Sequence, residues 1–112
     1  MGQTKKDLRA MPHDVKDEIG HALRIAQQGG KTDYAHRMKG NLRPVTEIIV
    51  DEDSDTYRAM YTTELPEVIY VLDAFKKKSK KGIATPKADL DRIEQRLKAA
   101  RLHYKEYGAP ET

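Results

Sequence analysis

The sequence contains no cysteine, and this absence excludes disulfide bonds, thiolate metal sites and cysteine nucleophiles together. It also lacks a long hydrophobic run, since no stretch approaches the ~20 apolar residues that a membrane-spanning helix needs. Residues 1–9 have no apolar core and so do not look like a secretory signal. We therefore expect a protein of the cytoplasm without a membrane span.

The length of 112 residues predicts one domain, residues 1–112, which can fold around a hydrophobic core without cross-links. Its charge is unevenly distributed. Residues 1–75 carry 10 Lys and Arg against 13 Asp and Glu, whereas residues 76–112 carry 11 against 5, a net charge of +6. This asymmetry favours a polyanionic partner for the basic part, although a solvated basic surface accounts for it equally well.

Hydrophobic periodicity predicts helices towards both ends of the chain. A short helical turn is expected at residues 5–10 and a longer helix at 12–28, which begins at Pro12 and ends at Gly29-Gly30. A shorter helix is expected from Asp33 to Met38. The last helix should start at Thr85-Pro86, and it carries an apolar stripe for packing on the sheet or a partner: Leu90, Ile93, Leu97, Ala100 and Tyr104.

The middle of the chain has the two-residue period of β-strands. Residues 45–50, 56–62 and 68–75 are rich in β-branched and aromatic residues, and short turns separate them, so we expect an antiparallel meander. The third of these strands is apolar on both faces, which predicts a central, covered position. The fold class is therefore α+β: N-terminal helices, a small antiparallel sheet and a C-terminal helix.

A lysine-rich segment follows the third strand and is the strongest local feature. Its members are Lys76, Lys77, Lys78, Lys80 and Lys81. Clustered ammonium groups rooted in a rigid strand suit phosphate binding by a nucleic acid. The alternative is a lysine-rich loop that only keeps the end of the sheet well hydrated.

Arg58 is the second feature, because a charge in mid-strand between aromatic residues is unusual unless it is paired or functional. In the meander it lies on the strand beside the one that ends at Phe75–Lys78. A fixed guanidinium near mobile lysines would stabilise a phosphate that gains charge during a reaction. The alternative is an ion pair with Glu47 or another strand acid.

The sequence gives no sign of a metal site or a cofactor site. The four histidines, His13, His21, His36 and His103, have no i, i+4 pair and no carboxylate cluster to complete a site. The acidic segment 51–55 lacks the glycine and the distal glutamate of a calcium loop. His36, with Lys39 three residues on, is the one pairing of a histidine with a basic residue that we consider for chemistry.

Several segments resemble the RelE/HigB superfamily of toxins, most closely its phage-derived HigB-like branch. The opening is similar in Asp7-Leu8-Arg9-Ala10-Met11-Pro12, and the similarity continues in Met38-Lys39-Gly40 and Tyr57-Arg58-Ala59-Met60-Tyr61. The most specific part runs from Tyr70 through Phe75 and the lysine-rich segment to Thr85-Pro86. The resemblance covers nearly the whole chain in order.

The resemblance implies the RelE-like fold and a toxin of a type II toxin–antitoxin system. Such a toxin is a metal-independent, usually ribosome-dependent endoribonuclease that cleaves mRNA without a cofactor. The partners implied are mRNA, the ribosome and a helix-turn-helix antitoxin of the HigA type, with operator DNA contacted only through the antitoxin.

By position, the resemblance implies that Arg58 stabilises the phosphorane and that Lys77 and Lys78 contact the scissile phosphate or the substrate backbone. RNA contacts are implied for Lys39, Lys76, Lys80 and Lys81. An RNase also needs a proton acceptor and a proton donor. Asp73 and His36 are candidates for these roles.

The sequence departs from the superfamily at several positions. Asp73 stands where many relatives carry histidine, and Thr46 and Ile48 stand where some carry a lysine pair. Other members have a catalytic tyrosine beyond the last strand, whereas here only Tyr104 and Tyr107 follow that strand, and both are on the last helix. These differences keep open an alternative: a non-catalytic RNA- or partner-binding protein on the same fold.

Overall fold

The computed structural model describes residues 2–52, 55–65, 67–78 and 87–108. Two helices, α1 (Gly2–Arg9) and α2 (His13–Gln27), precede the sheet, and α3 (Lys87–Tyr107) follows it. The sheet is antiparallel in the order β1 (Ala35–Arg37), β2 (Val45–Glu52), β3 (Asp55–Thr62) and β4 (Tyr70–Lys78). The predicted α+β class is confirmed.

Helix α2 covers one face of the sheet with the residues that its 3.6-residue period predicted. Val15, Ile19, Ala22 and Ala26 are buried, and they pack with Tyr57 and Tyr61 of β3. The helix ends in a paired hydrogen-bond cap, in which Gly29 donates to the Ala26 carbonyl at 3.0 Å and Gly30 to the Ile25 carbonyl at 2.9 Å. Gly29 has a φ of +87°, a conformation that glycine adopts without steric cost.

Helix α3 covers the opposite face. Its buried Ile93, Leu97 and Ala100 pack with Met60 of β3 and Leu72 of β4. The predicted stripe therefore packs on the sheet. The alternation predicted for β3 is also confirmed, since Tyr57 belongs to the cluster under α2 and Met60 to the cluster under α3. We call these two sides the α2 face and the α3 face.

A β-bulge interrupts the pairing of β3 with β4 at Met60 and Tyr61. Met60 pairs with Asp73 and Tyr61 with Val71, so Leu72 is the extra residue of β4. Leu72 packs under α3, and Asp73 is hydrogen-bonded to Arg92 and Arg96 of α3. The bulge thus allows two consecutive residues of β4 to contact α3.

Two expectations about the sheet were wrong. The third predicted strand, now β4, is an edge strand rather than a central one, although α1 and α3 pack against it. Its apolar composition reflects cover by helices on both faces. The helix expected from Asp33 to Met38 is instead β1, because Ala35 pairs with Ile48 on the open edge of β2 and becomes buried there.

Two further features complete the fold. The starting point expected for the last helix, Thr85-Pro86, lies outside the described residues, as does the hairpin tip at 53–54. Within the part of the chain that the structure describes, no helix has the length and apolar character needed to cross a membrane.

Candidate functional site

Arg58 and Glu47 form an ion pair on the α3 face of the sheet. The Arg58 Nη1 atom donates to Glu47 Oε2 at 2.7 Å, and their side chains are 12% and 13% exposed. In the strand register Arg58 lies opposite Ile49 and Glu47 lies opposite Met60, so the pair is diagonal. The pairing that the sequence offered as an alternative role for Arg58 is therefore present.

The Arg58–Glu47 pair lines a groove of about 430 Å³ between the β1 edge and the start of α3. The groove brings Arg58 together with Lys39 and His36, which the sequence singled out as a pair apart from Arg58. Arg37 lines it as well, and Leu90 of α3 contributes an apolar wall. We call this cavity the Arg58 groove; three of its lining side chains are cationic at neutral pH and one is anionic.

The backbone after β1 positions Lys39 at the Arg58 groove. The Met38 N–H donates to the Val45 carbonyl at 2.9 Å, which continues the pairing of β1 with β2. Gly40 then turns the chain with a φ of +63°, in the left-handed region that glycine favours. Leu42 is buried in the cluster under α3 and anchors the following 3-10 turn, Gly40–Leu42. Lys39 is thus held by its neighbours while its own side chain is exposed.

The lysine-rich segment begins on β4, beside Arg58. Phe75 pairs with Arg58, Lys77 with Thr56 and Lys78 with Asp55. Phe75 packs in the cluster under α3, whereas Lys76 lines a cavity with Met11 and Tyr57 on the α2 face. Lys76 lies 3.5 Å from an Asp55 carboxylate oxygen, and Lys80 and Lys81 lie outside the described residues.

Asp73 is placed away from the Arg58 groove and is enclosed by two arginines of α3. Its side chain is 3% exposed. Oδ2 accepts from Arg92 Nε and Nη2 at 2.9 and 2.7 Å, and Oδ1 accepts from Arg96 Nη1 at 2.8 Å and from the Ala74 N–H at 3.0 Å. With both oxygens engaged, this carboxylate is suited to attaching α3 to β4.

The hydrogen-bonded cluster around Asp73 extends to α1, and it raises the pKa of Arg92. Arg96 Nη1 also donates to the Leu72 carbonyl at 3.0 Å, and the Thr4 hydroxyl donates to that carbonyl at 3.2 Å. Burial disfavours the charged form of Arg92, but the hydrogen bonds that Arg92 donates to the carboxylates of Asp73 and Asp89 outweigh this effect and raise the pKa of Arg92. Arg92 also lies 5.7 Å from the centre of the Phe75 ring.

Sequence reasoning missed three of these residues. Arg92 and Arg96 are spaced i, i+4 on α3, which puts both on one helix face, and a buried aspartate in an apolar strand signals a need for such partners. Arg37 was missed because its segment was interpreted as a helix. No group of three histidine, aspartate or glutamate side chains within the described ranges is placed to hold a metal ion.

Comparison with known proteins gives one family. The model of the phage-derived protein Gp49-like family (DUF891) matches residues 6–98. The matched range runs from α1 into α3 and includes the Arg58 groove, β4 and the lysine-rich segment. Neither the curated proteins nor the solved structures gave a significant match.

Proposed function

The chain belongs to the phage-derived Gp49-like family, and on this premise we propose that it is the toxin of a type II toxin–antitoxin module. The family is associated with toxin–antitoxin systems. The proposed activity is that of a metal-independent, ribosome-dependent endoribonuclease, which cleaves mRNA and so stops translation.

One observation carries the nuclease proposal: Arg58, held at 2.7 Å by Glu47, shares a groove with Lys39, Arg37 and His36. Glu47 fixes the guanidinium before any ligand arrives. A preorganised donor stabilises charge that develops in a transition state without the cost of reorganisation. The exposed cations at the rim would neutralise the phosphates on either side of the reacting one.

The reaction needs only the substrate's own atoms. The 2′-oxygen attacks the adjacent phosphorus, the bond from phosphorus to the 5′-oxygen breaks, and the products are a 2′,3′-cyclic phosphate and a 5′-hydroxyl. One proton leaves the 2′-hydroxyl and one is taken up by the 5′-oxygen, so no water and no oxidant is consumed. Arg58 would stabilise the extra negative charge of the pentacoordinate intermediate.

His36 is the better placed of the two candidates for proton transfer. It is exposed on β1, lines the Arg58 groove and pairs with Glu47 in the strand register. Imidazole is the side chain used most often for general acid–base catalysis. Asp73 is enclosed by Arg92 and Arg96, so in this proposal it supports the site and does not transfer the proton.

The remaining cations would hold the RNA along the sheet. In this proposal Lys77 and Lys78 contact the scissile phosphate or the adjacent backbone, and Lys76, Lys80 and Lys81 bind further phosphates. The excess of +6 in residues 76–112 supports such a contact. We also propose that a HigA-type helix-turn-helix antitoxin neutralises the toxin and supplies the only contact with operator DNA.

Induced expression in bacteria tests the activity. Wild type should arrest growth and fragment mRNA, whereas Arg58→Gln should permit growth and leave transcripts intact. Arg24→Gln is the matched control, since it removes the same charge from an exposed position on α2 and should behave like wild type. Equal growth and intact transcripts for wild type and Arg58→Gln at equal protein levels would contradict the nuclease proposal.

Purified components test the mechanism separately. Wild type, mRNA and ribosomes should give fragments with 2′,3′-cyclic phosphate and 5′-hydroxyl ends, and omission of ribosomes should slow cleavage so strongly that it is measurable only at high protein concentration. Since ribosomes require magnesium, the metal test uses the slow cleavage of free RNA at high protein concentration with and without EDTA. Cleavage that EDTA abolishes, or that leaves a 5′-phosphate, would exclude the proposed chemistry.

A second function is supported by one contact and one difference from the superfamily. The Arg58–Glu47 pair leaves less net positive charge in the groove, and Asp73 occupies the position where many relatives carry histidine. Both fit a non-catalytic RNA- or partner-binding protein on the same fold. In that case the RNA affinity would still depend on Lys39, but no RNA fragments would form at any concentration of the protein.

A further inference from the structure

A second basic pocket lies on the α2 face, on the other side of β1 from the Arg58 groove. It has a volume of about 690 Å³, and its lining includes Gly29, Gly30, Lys31, Arg37, Tyr61 and Thr63. Lys31 and Arg37 are its cations, the hydroxyls of Tyr61 and Thr63 are possible donors, and no carboxylate lines it. Within the described ranges, neither cation forms an ion pair with a carboxylate. The chemistry of this pocket is that of an anion site.

Arg37 connects the second pocket with the Arg58 groove, because it lines both. Arg37 lies on β1, the outermost strand, and successive side chains of this strand face opposite sides of the sheet. His36 pairs with Glu47 of the α3 face, whereas Arg37 pairs with Thr46, which lines the second pocket. A polyanion that crosses the β1 edge would therefore meet Lys39 and His36 first, then Arg37, and then Lys31.

The two sites lie on opposite faces of the sheet and have only Arg37 in common among their lining residues, so they are not one phosphate subsite. Arg37 and Arg58 are two strands apart and offset by three residues, on the order of 14 Å between Cα atoms. Lys31 lines only the pocket beyond Arg37. A ligand that contacts Arg58 and Lys31 together must be an extended chain with several negative groups.

We propose that the Lys31–Arg37 pocket binds a backbone phosphate of the RNA strand whose scissile phosphate occupies the Arg58 groove. This inference rests on the proposed nuclease function and adds a path for the RNA across the β1 edge. Guanidinium, ammonium and hydroxyl groups together offer the donors that phosphate oxygens accept. Backbone contacts of this kind position an RNA without reading its sequence.

Lys31 has one competing role, which is to offset the negative end of the α2 dipole. The last carbonyls of α2 are already bonded by Gly29 and Gly30. If Lys31 served the helix alone, its replacement would lower thermal stability and leave RNA binding unchanged. Stability and binding therefore have to be measured on the same variant.

The test is fluorescence anisotropy with a 2′-O-methyl RNA decanucleotide and trinucleotide, which cannot be cleaved because the 2′-oxygen is blocked. Lys31→Gln should weaken decanucleotide binding and reduce the slope of log Kd against log salt by about 0.7, the value for one phosphate of a single strand. Trinucleotide binding should change less. Lys16→Gln, an exposed lysine on α2, is the matched control and should resemble wild type.

The outcomes separate this inference from the proposed function. Unchanged decanucleotide affinity and slope in a folded Lys31→Gln protein would overturn the inference, even if Arg58→Gln abolishes cleavage. Conversely, a wild type that cleaves nothing but loses decanucleotide affinity in Lys31→Gln would keep the pocket and refute the nuclease. Inorganic phosphate is the competitor: if it displaces the decanucleotide at equal phosphate concentration, the pocket takes a free anion, and the inference fails.

Discussion

Glu47 lies diagonally across β2 and β3 from Arg58, with its Oε2 atom 2.7 Å from Nη1 of the guanidinium. Side chains in diagonal positions on one face of a sheet are within reach when both are long. The carboxylate fixes the direction of the guanidinium and also lowers the net charge of the groove. Orientation and charge should therefore respond differently when Glu47 is changed.

Glu47→Gln should separate these two effects. The amide can still accept from Arg58, but the negative charge is gone, so RNA should bind more tightly while the cleavage rate constant falls. We expect a loss of unfolding free energy of about 1–3 kcal/mol, because a partly buried hydrogen bond to a charged group is weakened. Binding is measured with 2′-O-methyl RNA, cleavage by single-turnover kinetics and stability by urea denaturation.

The control for Glu47→Gln is Asp17→Asn, which removes a carboxylate from the exposed pair with His13. This change should alter neither RNA affinity nor the cleavage rate constant. If Glu47→Gln lowers RNA affinity and the cleavage rate constant in equal proportion, Glu47 contacts the substrate itself, and the positioning role is wrong.

Asp73→Asn should act mainly on stability. The change leaves Arg92 and Arg96 without their shared anion, and the expected loss is about 1–3 kcal/mol, because both arginines are partly exposed. Asp89→Asn removes a second partner of Arg92 at a more exposed position and should cost about 1 kcal/mol or less. Urea denaturation of both variants measures the difference.

Cleavage activity normalised to the folded fraction distinguishes two roles of Asp73, which are to position the arginines of α3 or to transfer a proton. A positioning carboxylate predicts that the folded Asp73→Asn protein keeps the pH profile of wild-type cleavage. Loss of one limb of that profile would instead identify Asp73 as the proton acceptor or donor.

The helices and strands with strong periodicity were predictable from the sequence. Helix α2 follows from Val15, Ile19, Ala22 and Ala26, and β3 from the alternation around Arg58. The β1 strand could not be found this way, because a three-residue strand has no measurable period and is stabilised by the open edge of β2. Its misassignment hid Arg37 and with it the second pocket.

Most residues of the candidate site could be predicted from the sequence, but their arrangement in space could not. Arg58 was identified apart from the pair His36 and Lys39, and only the tertiary pairing of β1 with β2 brings all three into one groove. Asp73 was considered for proton transfer because the resemblance puts a histidine at its position, and the sequence alone did not show that two arginines would enclose it. Asp73 pairs with Met60 and faces α3, where Arg92 and Arg96 bond its carboxylate.

The Glu64–Arg101 pair should make stability depend on pH in the acidic range. Hydrogen bonds from Arg101 lower the pKa of Glu64 from its ordinary value of 4.5. A carboxyl whose folded pKa is depressed adds stability above the unfolded pKa, and this contribution is lost as the pH falls through the folded pKa. The side chains are 35% and 44% exposed, so the contribution should stay at about 1 kcal/mol or less.

Arg101→Gln checks the role of this pair. Its unfolding free energy should fall below that of wild type at neutral pH, and the difference should shrink as the pH is lowered below 4.5. A difference that stays constant from pH 7 to pH 3 would mean that Arg101 stabilises α3 through packing and that its charge contributes nothing.

Helix α3 contains two leucines whose comparison measures how firmly it is attached to the sheet. Leu97 is 1% exposed and packs with Met60 and Leu72, whereas Leu102, five residues further on, is 58% exposed. Leu97→Ala should lower the unfolding free energy by about 2–5 kcal/mol, because it leaves a cavity under the helix. Leu102→Ala should change it by about 0.5 kcal/mol or less.

Since Leu90 of α3 forms a wall of the Arg58 groove, Leu97→Ala should also weaken RNA binding under conditions where the protein stays folded. Equal stability of the two variants would mean that α3 is not packed on the sheet in solution, and the groove would then lose that wall.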